Sequence, residues 1–158
     1  DVPENTIAAY QKAIEIGCDF VEIDLRKTKD GKFVSIHNED IDAYFKGKKG
    51  KVNSFLFSEL REMPLAKKEN DTNDYFIPTL EEILKLCKGK IGIYLDLKEA
   101  DIKGQVQTIK AFKMEKDIVW YIYPKEREAI QELKRYCPEC LVMPDPGNER
   151  RLKKVLNF

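Results

Sequence analysis

The stretch Val21-Glu22-Ile23-Asp24-Leu25 alternates aliphatic residues with acids over five positions. Successive side chains of a β-strand point to opposite faces, so this alternation predicts a strand with aliphatic side chains on one face and both carboxylates on the other. Leu95-Asp96-Leu97-Lys98 repeats the pattern and places an acid and a base on one face. A third predicted strand, residues 33–37, places Val34 and Ile36 on the aliphatic face and Ser35 and His37 on the polar face. His37 is the one histidine of the sequence. Ionisable groups at one end of three strands favour a polyanionic site with a cationic partner and a titratable group over an ordinary core.

Helices and strands alternate along the rest of the chain. Aliphatic and aromatic runs predict strands at residues 20–26, 33–37, 91–98, 118–123 and 141–143. Caps and apolar spacing predict helices that start at Asn5 or Thr6, at Ser58, at Thr79, ahead of Val106, at Pro124, and at Asn148, the last with Leu152, Val155 and Leu156 on one face. This order predicts a parallel α/β sheet. Polar residues on one face favour a TIM (β/α)8 barrel over an open doubly wound sheet, in which helices cover both faces.

The composition limits the classes of function. The 158 residues carry 28 Lys+Arg and 28 Asp+Glu, so a net charge of zero gives no indication of a nucleic-acid or membrane-surface partner. No apolar run reaches the roughly 18 residues of a membrane span, so no stable membrane insertion is expected. No signal peptide is visible, and because a leader would precede Asp1, the compartment stays open between the cytoplasm and export. The length suits one domain and does not define the oligomeric state.

The four cysteines are interpreted as structural. Cys18 and Cys87 each close an apolar helical pattern and are predicted to be buried thiols. Cys137-Pro138-Glu139-Cys140 has the CxxC spacing, which is weak support for zinc or redox chemistry without a second pair or a nearby histidine. Pro138 is interpreted as the end of a helix, because proline lacks a backbone N–H.

The polar strand residues together suit chemistry at phosphorus. Glu22, Asp24 and Asp96 would repel one another unless they share a cation, and oxygen-only ligands suit Mg²⁺ or Ca²⁺ rather than zinc. Lys98 can hold a phosphate or offset developing negative charge. His37 can transfer protons near neutral pH. A metal ion, an ammonium and an imidazole together therefore suit attack at a phosphorus atom.

Each of these features also has a structural interpretation. A lone histidine is usually a polar residue whose hydrogen bonds are satisfied by its neighbours. The acids of β-strand 20–26 could simply lie on a half-exposed edge of the sheet. The Asp96–Lys98 pair could be a surface ion pair that contributes little to stability. Tyr94 could belong to the core or line the pocket beside Asp96. A run of lysines could be a solvated loop or a lid that attracts an anionic substrate; its members are Lys46, Lys48, Lys49 and Lys51.

The order of short motifs resembles that of the glycerophosphodiester phosphodiesterases. The opening Pro3-Glu4-Asn5-Thr6-Ile7-Ala8-Ala9-Tyr10 is similar to the family's PENT-x-AA-aromatic motif. The further matching motifs, in family order, are Val21–Arg26, Thr28–Gly31, Val34–His37, Ile77–Glu82 and Leu95–Lys98. The resemblance is dense over residues 1–98 and thin after them.

The resemblance implies a TIM barrel that uses a divalent cation to hydrolyse glycerophosphodiesters to glycerol 3-phosphate and an alcohol, in glycerol and lipid metabolism. A glycerol hydroxyl would attack phosphorus, and water would then open the cyclic phosphate. By position, the implied roles are metal ligands at Glu22, Asp24 and Asp96, one of two acid–base histidines at His37, a catalytic and substrate-binding lysine at Lys98, and substrate binding by Arg26.

The sequence departs from the family pattern at three places. The family's His-Arg-Gly motif, with the partner histidine, would precede Asp1; Asn38 stands where Asp is usual; and Asp96 stands where Glu is usual. Related phospholipase-D-like toxins that cleave sphingomyelin also have Asp at the last position. A phospholipid-headgroup phosphodiesterase and a non-catalytic barrel used for binding are therefore alternatives. We expect residues 1–158 to form a single domain that lacks the first strand and the last two strands of the barrel.

Overall fold

The computed structural model describes residues 2–66, 70–123 and 127–144. In chain order its elements are α1 (Ile7–Glu15), β1 (Phe20–Lys27), β2 (Phe33–Ser35), a 3-10 turn (Val52–Ser54), α2 (Phe57–Arg61), α3 (Leu80–Cys87), β3 (Gly92–Leu97), α4 (Ile102–Phe112), β4 (Ile118–Ile122), α5 (Arg127–Tyr136) and β5 (Leu141–Pro144). The predicted helix starts at Pro124 and Asn148, and the face formed by Leu152, Val155 and Leu156, lie outside the described residues.

The five strands form one sheet in the order β2-β1-β3-β4-β5. Strands β1, β3, β4 and β5 are parallel, and α4 and α5 are the crossovers between β3, β4 and β5. The register pairs Asp24 with Asp96, and Asp96 with Tyr121. The α/β class is therefore confirmed, and repeated βα units of this kind are those from which a barrel wall is built.

Strand β2 does not belong to the parallel set, so its predicted direction is wrong. It ends at Ser35 and pairs antiparallel with the end of β1, with Leu25 opposite Ser35. Residues 28–32 alone connect the two strands, through a turn in which Gly31 has φ of +82°. A connection this short cannot make the crossover that a parallel pair requires, whereas it suits a hairpin.

Helices cover the aliphatic face of the sheet, as predicted. In this core, every second residue of a strand packs against the apolar sides of the helices. Its fully or nearly buried members include Val21, Ile23, Leu25, Ile93, Leu95, Leu97, Leu80, Ile83, Leu84, Ile102, Val106, Ile109, Trp120 and Leu133. The opposite face carries the polar set and Tyr94. Because the two faces are so different, ionisable groups collect on the side away from the helices.

The segment that follows β2 builds a second, smaller core. Val34 and Ile36 were expected on the aliphatic face of the main sheet, but they pack in this separate cluster. Its other buried members are Ile41, Phe45, Val52, Leu60, Leu65 and Ile77. The hairpin and the following segment therefore form a packed extension beside the sheet, which carries His37 at its edge.

Predicted caps begin two of the helices. Thr6 starts α1 and Thr79 starts α3, and each side chain accepts a backbone N–H of the first turn. Asp101 caps α4 in the same way. Such caps satisfy donors that have no partner inside the helix. None of the helices in the described ranges combines the length and the apolar content that crossing a bilayer requires.

Two local predictions are wrong. Ser58 lies inside α2 and does not cap it, since Glu59 accepts the Leu56 N–H at 2.7 Å and satisfies the start of the helix. Cys18 is exposed, because it follows the end of α1, while Cys87 is buried as predicted. Burial raises the pKa of the Cys87 thiol to about 11, so this thiol is inert.

The CxxC segment closes the turn between α5 and β5. Helix α5 ends before Pro138, as predicted, and the buried Cys137 and Cys140 are joined by a disulfide that the spacing alone did not predict. The Lys134 ammonium donates to the carbonyl of Cys140 at 2.6 Å. The segment is therefore cross-linked next to the last described strand.

Candidate active site

Three carboxylates meet on the polar face where β1 and β3 lie side by side. Asp24 and Asp96 are partners in the parallel register, and Glu22 precedes Asp24 by two residues on the same face. One oxygen from each of the three lies within 4.8 Å of the others. Glu22 is the most exposed of the three, Asp96 is half-buried and Asp24 is buried. Clustered carboxylate oxygens are ligands that hard divalent cations prefer, so these residues could hold such an ion.

Lys98 lies against the carboxylate cluster. Its Nζ is 2.6 Å from Asp96 Oδ2 and 3.2 Å from Asp24 Oδ1, and only 15% of its side chain is exposed. Burial lowers the pKa of Lys98, but the hydrogen bond to Asp96 and the charges of Asp24 and Asp96 outweigh burial and raise the pKa overall. Lys98 therefore stays an ammonium and neutralises part of the charge of the cluster.

The cluster holds more negative charge than Lys98 can neutralise. Partial burial, followed by the charges of Asp24 and Asp96, raises the pKa of Glu22 to about 7, although the Lys98 charge acts in the opposite direction. Like charges that share a site repel unless a cation joins them or one group takes up a proton. The raised pKa of Glu22 thus reflects burial first and, after it, acidic charge that Lys98 does not balance.

Two carboxylate oxygens of the cluster are buried without a hydrogen-bond donor among the described residues. One is Asp96 Oδ1 and the other is Asp24 Oδ1, which has only the ion-pair contact with Lys98. A buried acceptor without a donor costs about 1–3 kcal/mol, and more when it is charged. Coordination to a cation would satisfy both oxygens, so the donor set fits a divalent ion.

A buried hydrogen-bond network holds the other oxygen of Asp24. Asn5 Nδ2 donates to Asp24 Oδ2 at 3.0 Å. Asn5 Oδ1 accepts from the Tyr10 hydroxyl at 2.9 Å and from the Ser35 hydroxyl at 2.5 Å. Burial is the main cause of a raised Tyr10 pKa, so this hydroxyl keeps its proton and can donate. The network connects the start of α1 with β1 and β2.

Sequence reasoning did not identify this network. It named Tyr10 as the aromatic residue of the opening motif, and in the structure this side chain is buried at 4% exposure. Two signals were present in the sequence: Asn5 lies in the opening motif, and Ser35 shares the polar parity of His37. Their convergence depends on the antiparallel pairing of β2, which was not predicted.

His37 lies just beyond β2, on a cavity of about 350 Å³ that Glu22 and Asp24 also line. The Arg26 guanidinium fixes its backbone, with Nε and Nη2 donating to the His37 carbonyl at 2.9 and 2.7 Å. His37 Nδ1 lies 2.9 Å from Asn38 Oδ1, and because an amide oxygen only accepts, Nδ1 is the donor. This bond engages Nδ1, and Nε2 has no hydrogen-bond partner among the described residues.

The structure thus brings Glu22, Asp24, Asp96 and Lys98 into one cluster, with His37 on the adjoining cavity. Two N–H groups of Arg26 contact the backbone of His37, which adds a positioning contact to the substrate-binding role predicted for Arg26.

Tyr94 lies on the polar face of β3, away from the aliphatic core. Its ring centroid is 5.5 Å from that of Tyr121, which is 5.4 Å from that of Tyr123. Tyr121 is also the strand partner of Asp96. The three rings therefore form a row of neighbouring aromatic side chains on the side of the sheet that carries the carboxylates.

The lysine-rich loop is exposed, as both of its interpretations require. Lys51 pairs with Glu39 at 3.0 Å, and the other lysines of the loop, Lys46, Lys48 and Lys49, are exposed. The structure does not distinguish a solvated loop from a lid, so the lid stays a prediction.

Comparison with known proteins connects this geometry to one family. Residues 1–135 match the model of the glycerophosphoryl diester phosphodiesterase family. A glycerophosphodiester phosphodiesterase of Caldanaerobacter subterraneus is 31% identical over 150 residues, which is 87% of this chain and 59% of that protein. The chain therefore spans about three fifths of the length of this relative.

Solved structures agree with the sequence match. The crystal structure of a glycerophosphodiester phosphodiesterase from Agrobacterium tumefaciens superposes with a TM-score of 0.78 at 29% identity, covering 89% of this chain and 60% of that one. A second, from Parabacteroides distasonis, has a TM-score of 0.83 at 23% identity over 98% of this chain and 53% of that one, and supports the fold alone. These neighbours are TIM barrels, so the five-stranded sheet corresponds to part of a barrel.

Proposed function

Because the chain belongs to the glycerophosphoryl diester phosphodiesterase family, we propose that its site hydrolyses glycerophosphodiesters to glycerol 3-phosphate and an alcohol, with Mg²⁺ or Ca²⁺ as cofactor. The observation that supports this most directly is the carboxylate cluster beside Lys98 and the His37 cavity. The cluster has the charge and the unpartnered oxygens that a divalent cation would satisfy.

In this proposal Glu22, Asp24 and Asp96 hold the cation. When bound, the ion would polarise the phosphoryl oxygens of the substrate. Lys98 contacts a phosphate oxygen and stabilises the negative charge that grows there, since its ammonium is largely buried and already faces the cluster. Arg26 keeps the His37 backbone in place, and we assign it a part in binding the phosphodiester.

His37 moves a proton at Nε2. A glycerol hydroxyl attacks phosphorus as it loses its proton, the alcohol leaves as it gains one, and water then opens the cyclic phosphate. Each half of this sequence needs one group that takes a proton and one that gives a proton. The sequence holds one histidine, and we assign the second acid–base role to the partner histidine that the family resemblance implies.

The test is a product assay on the full-length protein. We expect release of glycerol 3-phosphate from glycerophosphocholine and glycerophosphoethanolamine, loss of the activity with a chelator, and its return with Mg²⁺ or Ca²⁺. Glu22→Gln should abolish the response to the cation, because it removes a charged ligand at nearly constant volume. Glu62→Gln, at an exposed position after α2, is the matched control and should respond as the wild type does.

The outcomes separate the alternatives. Cleavage of sphingomyelin without cleavage of water-soluble glycerophosphodiesters would instead indicate a phospholipid-headgroup phosphodiesterase. Binding of a glycerophosphodiester without turnover would indicate a non-catalytic barrel. A Glu22→Gln variant with the wild-type rate and cation response would refute the assignment of this ligand.

A further inference from the structure

We propose that Asn5 is a positioning residue for the cation site, which Tyr10 and Ser35 orient so that Asp24 presents a single oxygen, Oδ1, to the ion. The inference rests on the cation-binding part of the proposed function. It concerns how tightly the site binds its ion and does not depend on which phosphodiester is cleaved.

The backbone of Asn5 is held in an uncommon conformation. Its φ is +54°, in the left-handed region that residues other than glycine rarely adopt, though asparagine does so more readily than most. The residue lies directly before Thr6, the cap of α1, and is only 8% exposed. A non-glycine residue kept in this conformation at a buried position is typical of a site where the side chain has a defined task.

The hydrogen bonds fix which way the Asn5 amide points. Two hydroxyls, those of Tyr10 and Ser35, lie within hydrogen-bond distance of Oδ1 and 2.8 Å from each other. Even if one hydroxyl donates to the other, at least one still donates to Oδ1. The reversed amide would point its oxygen at the Asp24 carboxylate, an acceptor facing an acceptor. The amide hydrogen atoms must therefore point at Asp24 Oδ2.

This orientation gives the two oxygens of Asp24 different roles. Oδ2 is occupied by the Asn5 amide, which stops the carboxylate from rotating. Oδ1 is buried without a hydrogen bond and lies 3.2 Å from Lys98 Nζ, on the side of the cluster. Outer groups that orient a ligand in this way typically change metal affinity by about 10–100-fold when they are removed.

The first experiment measures binding of the ion alone. Asn5→Gly in the full-length protein keeps a residue suited to the positive φ, and leaves Tyr10 and Ser35 able to pair with each other. We expect calorimetric titration with MgCl₂ and with CaCl₂ to show about 10–100-fold weaker binding at unchanged stoichiometry. A purely structural role would lower the melting temperature in chelator and leave the affinity unchanged. Wild-type affinity in Asn5→Gly would overturn the proposal.

The second experiment uses the redundancy of the two hydroxyls and does not alter Asn5. Tyr10→Phe and Ser35→Ala should each weaken the affinity less than about 3-fold, because one donor to Oδ1 remains. The double variant should lose more than the product of the single effects, since Oδ1 then keeps only the long 3.4 Å contact from the Asp24 backbone N–H, which holds the amide less firmly. Tyr136→Phe on α5, whose ring lies near the Lys103 ammonium, is the matched control. A double variant whose loss of affinity equals the product of the two single losses would overturn the proposal. This double-mutant cycle decides the question if Asn5→Gly does not fold.

The wild-type protein supplies the remaining comparison. Tight binding of Mg²⁺ or Ca²⁺ without hydrolysis of any glycerophosphodiester would refute the proposed function and leave the positioning role of Asn5 intact. Absence of any cation binding would overturn the positioning role together with the proposed cofactor.

Discussion

The two oxygens of Asp96 have different surroundings, and this difference defines what a substitution does. Oδ2 accepts from Lys98 at 2.6 Å, while Oδ1 is buried without a donor. Asp96→Asn should weaken cation binding and slow turnover, because it removes a charge and places amide hydrogens in the cluster. Asp96→Glu should keep both cation binding and turnover, since it retains the charge and has the side-chain length usual in the family. Calorimetry with MgCl₂ beside a glycerol 3-phosphate assay measures both, and a site inactivated by Glu but not by Asn would place Asp96 away from the cation.

His37 is expected to act on protons and not on the cation. It lies on the cavity that Glu22 and Asp24 line, and its Nδ1 is engaged by Asn38. His37→Ala should lower turnover by a factor on the order of 10²–10⁴, the range for loss of a positioned acid–base group, and leave the affinity for Mg²⁺ near that of the wild type. A parallel loss of cation affinity would identify His37 as a ligand or as a structural residue.

Helix α4 offers a separate test of how charge stabilises an element. Its N-cap Asp101 accepts from the Lys27 ammonium at 2.6 Å and from the Gly104 N–H at 2.9 Å. The hydrogen bond from Lys27 is the largest cause of a lowered Asp101 pKa. A carboxylate whose pKa is lower in the folded state stabilises the fold above its unfolded pKa, and this contribution is lost as the pH falls through the folded pKa.

Asp101→Asn isolates this charge, because asparagine caps helices about as well as aspartate. We expect the substitution to reduce the free energy of unfolding by about 0.2–1 kcal/mol at pH 7, since the ion pair is partly exposed. The difference from the wild type should shrink as the pH falls below about 3.8, the ordinary value for aspartate. Urea unfolding at pH 7 and pH 3 measures it, with the exposed Asp19→Asn as control. An unchanged difference at pH 3 would contradict the ionic origin.

Elements determined by the local sequence pattern could be predicted, and those determined by pairing between distant strands could not. The alternation of apolar and polar residues in β1 and β3 predicted that Asp24 and Asp96 lie on the same face of the sheet, because the backbone alone determines which face a side chain is on. The direction of β2 depended on the connection before it, residues 28–32, whose shortness excludes a crossover and was not used in predicting the pairing. Val34 and Ile36 were therefore assigned to the wrong core, while Phe33 packs in the main one.

The charged residues of the site were predicted from the sequence, and the neutral ones were missed. Carboxylates, a lysine and a histidine stand out on strands because such groups are rarely buried without a reason. Asn5, Tyr10 and Ser35 have ordinary local explanations, as a cap, a helix face and a strand position. Their joint role appears only when α1 and β2 meet behind Asp24.

The sheet as a whole has edges that lack a strand partner in the described part of the chain. Strand β1 pairs with β2 only at residues 25–27, so its first residues, including the half-exposed Phe20, have a partner on one side only. Strand β5 pairs with β4 alone and exposes Leu141 and Met143. Unpaired edges of this kind promote association between chains, since their N–H and C=O groups are available to another strand.

A protein consisting of residues 1–158 alone should therefore associate, and it should show no significant phosphodiesterase activity. The activity is expected to be absent because acid–base cleavage needs two proton-transfer groups, the sequence holds one histidine, and the family resemblance implies a second. Gel filtration with light scattering should detect oligomers, and Leu141→Lys with Met143→Lys should reduce them, because charge on an edge strand opposes pairing. Glu62→Lys, a charge change at an exposed site after α2, should leave association as it was. A monomeric 1–158 chain that hydrolyses glycerophosphodiesters at the full-length rate would refute both the edge argument and the need for a second acid–base group outside these residues.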